Sequence, residues 1–489
     1  MPASLSASVR SGMAWMAGLA VFRDVLQFAV MIVLTRMIDP AAYGQFALIT
    51  AITGVGAVLS FRVFLEHTLQ QRDGEPDYQL HFTVGAATQI ALFTALNLLA
   101  LILRTTPRWR GIAMPLHLIS LLPLFDWPGE LRVKMLERSM DWSRLRLLQG
   151  VALVAGAVAA LIAAFAGAHV YALLVQTLVT PIPFAIDLFV GARWRPSFVW
   201  NRAAFLPAWR YGRTRLASGL TITGRQLLES GTLARVVGFG PLGIYGRAAG
   251  LASLCCLKAP SMLTLALFPV LTRMEPGSAQ GRRAAALLFR AIAWSVIPAG
   301  AFLSIAASPA VRLLYGEKWT GAIPLVPWAL GAFGLAALGQ TASTLLLSSM
   351  RQNQCLRLDL MNLAGAAACL WWLLPRGLTA YLGGLIMVNG ACLAVQLVWL
   401  VQSGSLGLND LGDTFFPPLA ASVALLALAG IGGPLPEDAA AAALIATVVV
   451  LSYVLILRIL AERSLRELTG FVPGGAQIRR LLLLGEGRA

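Results

Sequence analysis

About fourteen stretches of roughly 16–28 mostly apolar residues follow one another along this chain. They run near 12–37, 45–66, 81–103, 112–127, 147–167, 170–192, 213–237, 244–271, 286–307, 323–350, 356–375, 379–401, 416–432 and 438–459. A run of that length and composition spans a bilayer as a helix, because only a helix or a closed barrel satisfies its own backbone there. The fold expected is therefore all-α: a polytopic membrane protein with about 14 transmembrane helices. Of 489 residues, 58% are hydrophobic and 12% charged, with a mean hydropathy of +0.75, which excludes a soluble globule. The apolar run that starts the chain continues through Ile38, too long for a cleaved signal, and reads as a retained first helix. The fourth stretch is short and interrupted by proline.

Net charge is +16. The excess lies mostly in short loops between apolar spans, a membrane pattern rather than a nucleic-acid footprint. An even number of helices puts both termini on one side. With that side cytoplasmic, about 24 Lys and Arg fall inside and about 6 outside, so both termini are expected in the cytoplasm. The cluster Arg104, Arg108 and Arg110 is a local exception. The two longest connections, 128–146 and 193–212, are basic, with Trp142, Trp194, Trp200 and Trp209 interleaved. They read either as amphipathic helices lying on anionic lipid at the cytoplasmic face or as ordinary positive loops with interfacial tryptophans.

An internal repeat is legible. Leu34-x-Arg36 is followed by Gly44 and Phe46; Leu233-x-Arg235 is followed at the same spacing by Gly243 and Tyr245. The offset is 199 residues, or six helices. An even-numbered repeat keeps its topology, so the two halves are expected as six-helix lobes related by a parallel pseudo-twofold axis along the membrane normal. The organisation that follows is an N-terminal lobe over 1–200 and a C-terminal lobe over 201–403. Two extra helices with a basic cytoplasmic tail fill 404–489.

Eight charged residues cluster in four of the spans: Arg23, Asp24, Arg62, Arg225, Glu229, Arg235, Arg247 and Lys258. A charge at the bilayer centre costs about 2.5–3.5 kcal/mol on insertion scales, so these side chains should face a watery interior, each other or a substrate. Six are positive, which points to an anion. They fall on helices 1, 2, 7 and 8, corresponding helices of the two halves, and should converge between them. Guanidinium groups suit bidentate recognition of phosphate. Two plainer readings stand beside this one. Arg225 with Glu229, and Arg23 with Asp24, are spaced to make structural ion pairs. Arg235, Arg247 and Arg62 are near enough to helix ends to snorkel.

Enzyme constellations are absent from the sequence. His67, His81, His117 and His169 are scattered without metal-ligand spacing, no phosphate-cradling GxxxxGK[ST] loop occurs, and no connection is long enough for a soluble catalytic domain. Cys255, Cys256, Cys355, Cys369 and Cys392 show no redox or ligand spacing and read as small apolar packers. The chain is read as a transporter, not an enzyme, calling for no cofactor or metal.

Several stretches together resemble the polysaccharide transporter and Wzx-type O-antigen flippase family of the multidrug/oligosaccharidyl-lipid/polysaccharide exporter superfamily. Leu34-Thr35-Arg36 through Asp39-Pro40-Ala41-Ala42-Tyr43-Gly44 resembles its signature after helix 1. Glu229, Arg235, Gly238, Leu242-Gly243-Ile244-Tyr245 and Arg247-Ala248 resemble its helix 7–8 pattern, with Glu229 where the family commonly has aspartate. Phe268-Pro269-Val270 and Leu314-Tyr315-Gly316-Glu317-Lys318-Trp319 resemble two later motifs. The similarity covers most of residues 10–400; the last two helices carry no matching motif. The resemblance implies a central cavity lined by helices 1, 2, 7 and 8. It also implies a substrate: an oligosaccharide on undecaprenyl diphosphate, flipped from the cytoplasmic to the outer leaflet of the bacterial inner membrane. Implied partners are H+ or Na+ as coupling ion, membrane lipids, a polysaccharide polymerase and glycosyltransferases; nucleic acid is not among them.

Within that reading Arg62, Arg247 and Lys258 are assigned to the diphosphate, with Arg23, Arg225 and Arg235 completing the cationic lining. Glu229, then Asp24, are the candidates for ion coupling. Competing readings are an ion-coupled small-molecule or drug antiporter, for which the basic lining is unfavourable, and a non-transporting membrane component of polysaccharide assembly.

Overall fold

The computed structural model describes residues 22–59, 78–258, 278–349, 351–432 and Tyr453. No strand occurs among them, and the chain is an all-helical, multi-pass membrane protein. Seven of the described helices are long and apolar enough to cross a bilayer. The chain divides into two compact units, Met1–Gly243 and Ile244–Ala489.

In the first unit, helix α1 (22–37) is followed by α2 (Pro40–Leu59), α3 (Tyr78–Thr105), α4 (Arg110–Ile119), α5 (Leu122–Arg138), α6 (Trp142–Phe165), α7 (Val170–Val179), α8 (Ile182–Ile186) and α9 (Arg202–Val236). The fourth apolar stretch is thus two helices. α4 ends beside Ser120, and α5 restarts on Pro123, whose missing N–H is harmless in a first turn. α5 then runs on through Pro128 to Arg138, so most of the 128–146 connection is helix, one of its two expected readings. Its turn into α6 is tight: Met140 takes a left-handed φ of 55°, and the Asp141 carboxylate accepts the Arg144 N–H at 3.1 Å to cap α6.

The second basic connection begins differently. Residues 192–201 form an extended strap along α3. Gln79 Nε2 donates to the Arg195 carbonyl at 2.8 Å, Gln79 Oε1 accepts the Ser197 N–H at 2.6 Å, and Thr83 Oγ1 accepts the Val199 N–H at 2.8 Å. Asn201 then caps α9 by accepting from Ala203 and Ala204 N–H. Beneath the strap, Phe82 packs with Trp127, Phe189, Trp194 and Phe198, and with buried Leu131, Met135 and Leu188.

The 199-residue repeat recurs in the fold. α1 ends at 37 and α9 at Val236; α2 begins at Pro40 and α10 (Phe239–Ser253) at Phe239. Burial repeats as well: Leu34 and Leu233, Thr35 and Ala234, Tyr43 and Leu242, and Ile49 and Ala248 are all buried, while Arg36 and Arg235 are exposed.

The second unit takes in the rest of α10, then α11 (Ala279–Ile305), α12 (Ala307–Leu314), a 3-10 segment (Glu317–Leu325), α13 (Val326–Ser348), α14 (Gln352–Trp372), α15 (Leu378–Gln402) and α16 (Leu408–Gly432). Asn362 Nδ2 donates to Asn389 Oδ1 at 2.8 Å and Asn389 Nδ2 to the Ala332 carbonyl at 2.9 Å, stitching α13, α14 and α15 together. α16 docks on α11: Trp294 Nε1 donates to the Thr414 carbonyl at 3.0 Å, Arg290 Nη2 lies 3.5 Å from Asp413 Oδ2, and Phe289 meets Phe415 edge-on. The span near 438–459 has only Tyr453 among the described residues, its ring against Phe302. Of the five cysteines, all free, Cys255 is half-buried and the rest are buried.

Candidate functional site

Four of the charges singled out from the sequence, on α1 and α9, sit at similar levels on repeat-related helices. Arg23 and Asp24 lie on α1, about 21 Å below its end at a rise of 1.5 Å per residue. Arg225 lies about 16 Å, and Glu229 about 10 Å, below the end of α9. Shifted by 199, Arg23 falls on Ile222, within one turn of Arg225. The repeat therefore delivers two charged layers at similar depth.

Arg23 and Asp24 pair with each other at 3.2 Å, the arginine side chain 53% exposed and the aspartate half-buried. Arg225 and Arg235 are exposed on α9 and Glu229 is half-buried. α2 crosses α9 next to Arg225: a Cβ on Gly219 would meet Val58 Cγ1 at 2.7 Å, and one on Gly54 would touch Thr223 at 3.9 Å. At the far end of α9, Arg108 Nη2 donates to the Arg235 carbonyl.

In the second unit, Arg247 is half-buried with its guanidinium carbon 6.0 Å from the centroid of the Tyr315 ring, itself buried against Trp319. Two of the family-like motifs, Tyr245-x-Arg247 and Tyr315-Gly316-x-x-Trp319, thus meet through a cation–π contact. Lys258 is exposed at the end of a wider π-helical turn, Leu254–Lys258. An uninterrupted α-helix would put Arg247 and Lys258, eleven residues apart, on one stripe; the π turn moves Lys258 round from it. Arg62, and the Phe268-Pro269-Val270 motif, lie outside the described residues.

The sequence reading passed over one charged centre. Asp187, 9% exposed, sits where α8 widens into the π turn Asp187–Gly191. Arg132 Nε of α5 donates to its Oδ2 at 2.6 Å; Arg144 of α6 reaches Oδ1 through Nη2 at 2.5 Å and both oxygens through Nε at 3.0 and 3.2 Å. Gly191 makes room for this, since a Cβ there would overlap Arg144 Nη2 and Asp187 Oδ1. The signal was present: Asp187 is the one acid in the 170–192 span. Arg290 of α11, also inside a span and buried, was missed in the same way. No group of three or more metal-ligating side chains gathers among the described residues.

Comparison with known proteins gives these arrangements a context. A family model described as "Polysaccharide biosynthesis protein" matches residues 33–324, more than half the chain. The chain is 22% identical to the lipopolysaccharide biosynthesis protein WzxC of Escherichia coli K12, covering 71% of each protein. It is 25% identical to the succinoglycan biosynthesis transport protein ExoT of Rhizobium meliloti 1021, covering 77% of this chain and 73% of that one. In fold it is similar to the lipid II flippase MurJ in its inward closed conformation, with a TM-score of 0.68 at 10% identity, over 91% of this chain and 98% of MurJ. It is also similar to an inward-facing multidrug MATE transporter of the MOP superfamily, with a TM-score of 0.55 at 16% identity, over 77% and 93% of the two chains. The motifs, the repeated helix boundaries and the family match agree: the chain belongs to the polysaccharide biosynthesis protein family and has the fold of the MOP transporters.

Proposed function

We propose that this protein is a flippase for an oligosaccharide carried on polyprenyl diphosphate, moving it from the cytoplasmic to the outer leaflet of the inner membrane by alternating access. The observation that carries the reading is the set of charges, two arginines and two acids, placed at similar depth on α1 and α9 in a member of a polysaccharide biosynthesis family. A diphosphate is the anionic part of such a substrate. A cation in a low-dielectric setting attracts it far more strongly than one in water. Both termini lie in the cytoplasm in this reading, on the strength of the Lys and Arg distribution. Arg62, Arg247 and Lys258 hold the diphosphate, with Arg23, Arg225 and Arg235 along the same path.

The test is a reconstitution in vesicles with a fluorescent polyprenyl-diphosphate glycan. Each charge-assisted hydrogen bond contributes about 1.5–3 kcal/mol, so each alanine variant of Arg62, Arg247 or Lys258 should slow flipping roughly 10–100-fold. Protein level in the membrane should be unchanged. Normal flipping by the triple alanine variant would refute the assignment.

A further inference from the structure

Two glycines related by the repeat meet the opposite repeat at its opposite number. A Cβ on Gly44 would overlap the Phe239 carbonyl oxygen and lie 2.7 Å from its carbon; a Cβ on Gly243 would overlap the Pro40 carbonyl oxygen and lie 2.8 Å from its carbon. Pro40 and Phe239 are themselves repeat mates, the first residues of α2 and α10, and Gly44 and Gly243 are the fifth. The contact is therefore reciprocal, each helix start seated on the other's glycine.

Neither glycine has a left-handed φ, so neither is needed for backbone conformation. Inside a helix glycine is a poor choice on propensity alone, and what it supplies here is room. The hydrogen standing where Cβ would be points at the facing carbonyl, the geometry of a Cα–H···O contact. Other tightly packed glycines, such as Gly56, Gly331 and Gly365, face side chains; among the described glycines only these two would overlap a backbone carbonyl.

We infer that Gly44 and Gly243 form a symmetric clasp that shuts the end where α1 and α9 finish, and that this clasp parts once in each transport cycle. The cycle rests on the flippase reading above; the clasp rests on the repeat and the contact. Its components are two Cα–H···O contacts, the Trp109 ring 6.0 Å from the Phe239 ring, and the Arg108 guanidinium on the Arg235 carbonyl. It is the end of a longer contact, since α2 also packs on α9 at Gly54 on Thr223 and at Val58 on Gly219. Placement also fits a closure. The charged layers lie about 10–21 Å further down the same helices, and the clasp sits beyond them.

The experiment uses the full chain with its five cysteines replaced and the pair Trp109→Cys and Phe239→Cys introduced. A short bifunctional thiol reagent should join the pair in resting protein. While joined, flipping of the fluorescent polyprenyl-diphosphate glycan should fall roughly ten-fold or more relative to the same protein before cross-linking, and return when the linker is cleaved. Gly44→Ala and Gly243→Ala should each cut the cross-linking yield several-fold, and by similar factors. Undiminished flipping in the cross-linked protein overturns the inference, as do yields in both alanine variants equal to the parent's. Should the parent not flip this substrate at all, the proposed function fails, and the alanine variants' yields alone decide the clasp: equal yields remove it, matched losses keep it.

Discussion

Asp187 shows how much can depend on one side chain. Its carboxylate is the shared acceptor of two guanidiniums arriving from 55 and 43 residues away in sequence. Removing the acid leaves the buried Arg132 charge without compensation, a loss that typically costs about 3–5 kcal/mol. Asp187→Asn should therefore lower the melting temperature of the purified protein by roughly 5–10 °C. Gly191→Ala should cost less, because the added methyl displaces Arg144, whose side chain is 41% exposed, and crowds Asp187 Oδ1 but leaves the carboxylate's charge beside Arg132. Exposed ion pairs are worth only about 0–1 kcal/mol. Equal melting temperatures for the two variants would contradict this ordering. The acid itself was legible as an ionisable residue in an apolar run. Its partners were not, because no local periodicity relates residues so distant. The adjacent pair Arg23–Asp24 was legible for the opposite reason.

Among whole elements, the apolar spans came through as helices wherever they are described, while the connections between them stood open between helix and loop. Composition marks 128–146 and 193–212 as polar and basic, but polarity alone does not distinguish loop from helix once a segment leaves the apolar layer. In the first case α5 simply continues; in the second a strap borrows a glutamine as if it were a neighbouring strand. Losing two hydrogen bonds of about 1 kcal/mol each should open that strap more often. Gln79→Ala should speed amide exchange at Ser197 and its neighbours roughly 30-fold in lipid nanodiscs, read by mass spectrometry. Unchanged exchange would mean that the aromatic packing of Phe82, Trp194 and Phe198 holds the strap unaided.

For the molecule as a whole, the repeat was the most productive signal in the sequence: a spacing of one arginine, one glycine and one aromatic foretold helix ends that coincide after a shift of 199 residues. The level of the charges could be read in the same way, while the π turn that shifts Lys258 could not, since π winding carries no such spacing. Glu229 belongs to this scale, because coupling is a property of two global states. Glu229→Gln keeps the shape and removes the charge. If this carboxylate binds the coupling ion, flipping by the variant should lose its dependence on a proton or Na+ gradient with folded protein intact; unchanged dependence would return the role to Asp24. One last consequence belongs to α9. At 35 residues it is about 52 Å long, against a hydrocarbon layer of about 30 Å. It runs from the arginine- and tryptophan-rich strap at one end to the Gly44–Gly243 meeting point at the other. A helix that long, with Pro207 inside its second turn, exceeds the layer by about 20 Å, so the thickness of the surrounding membrane bears directly on how this one element sits.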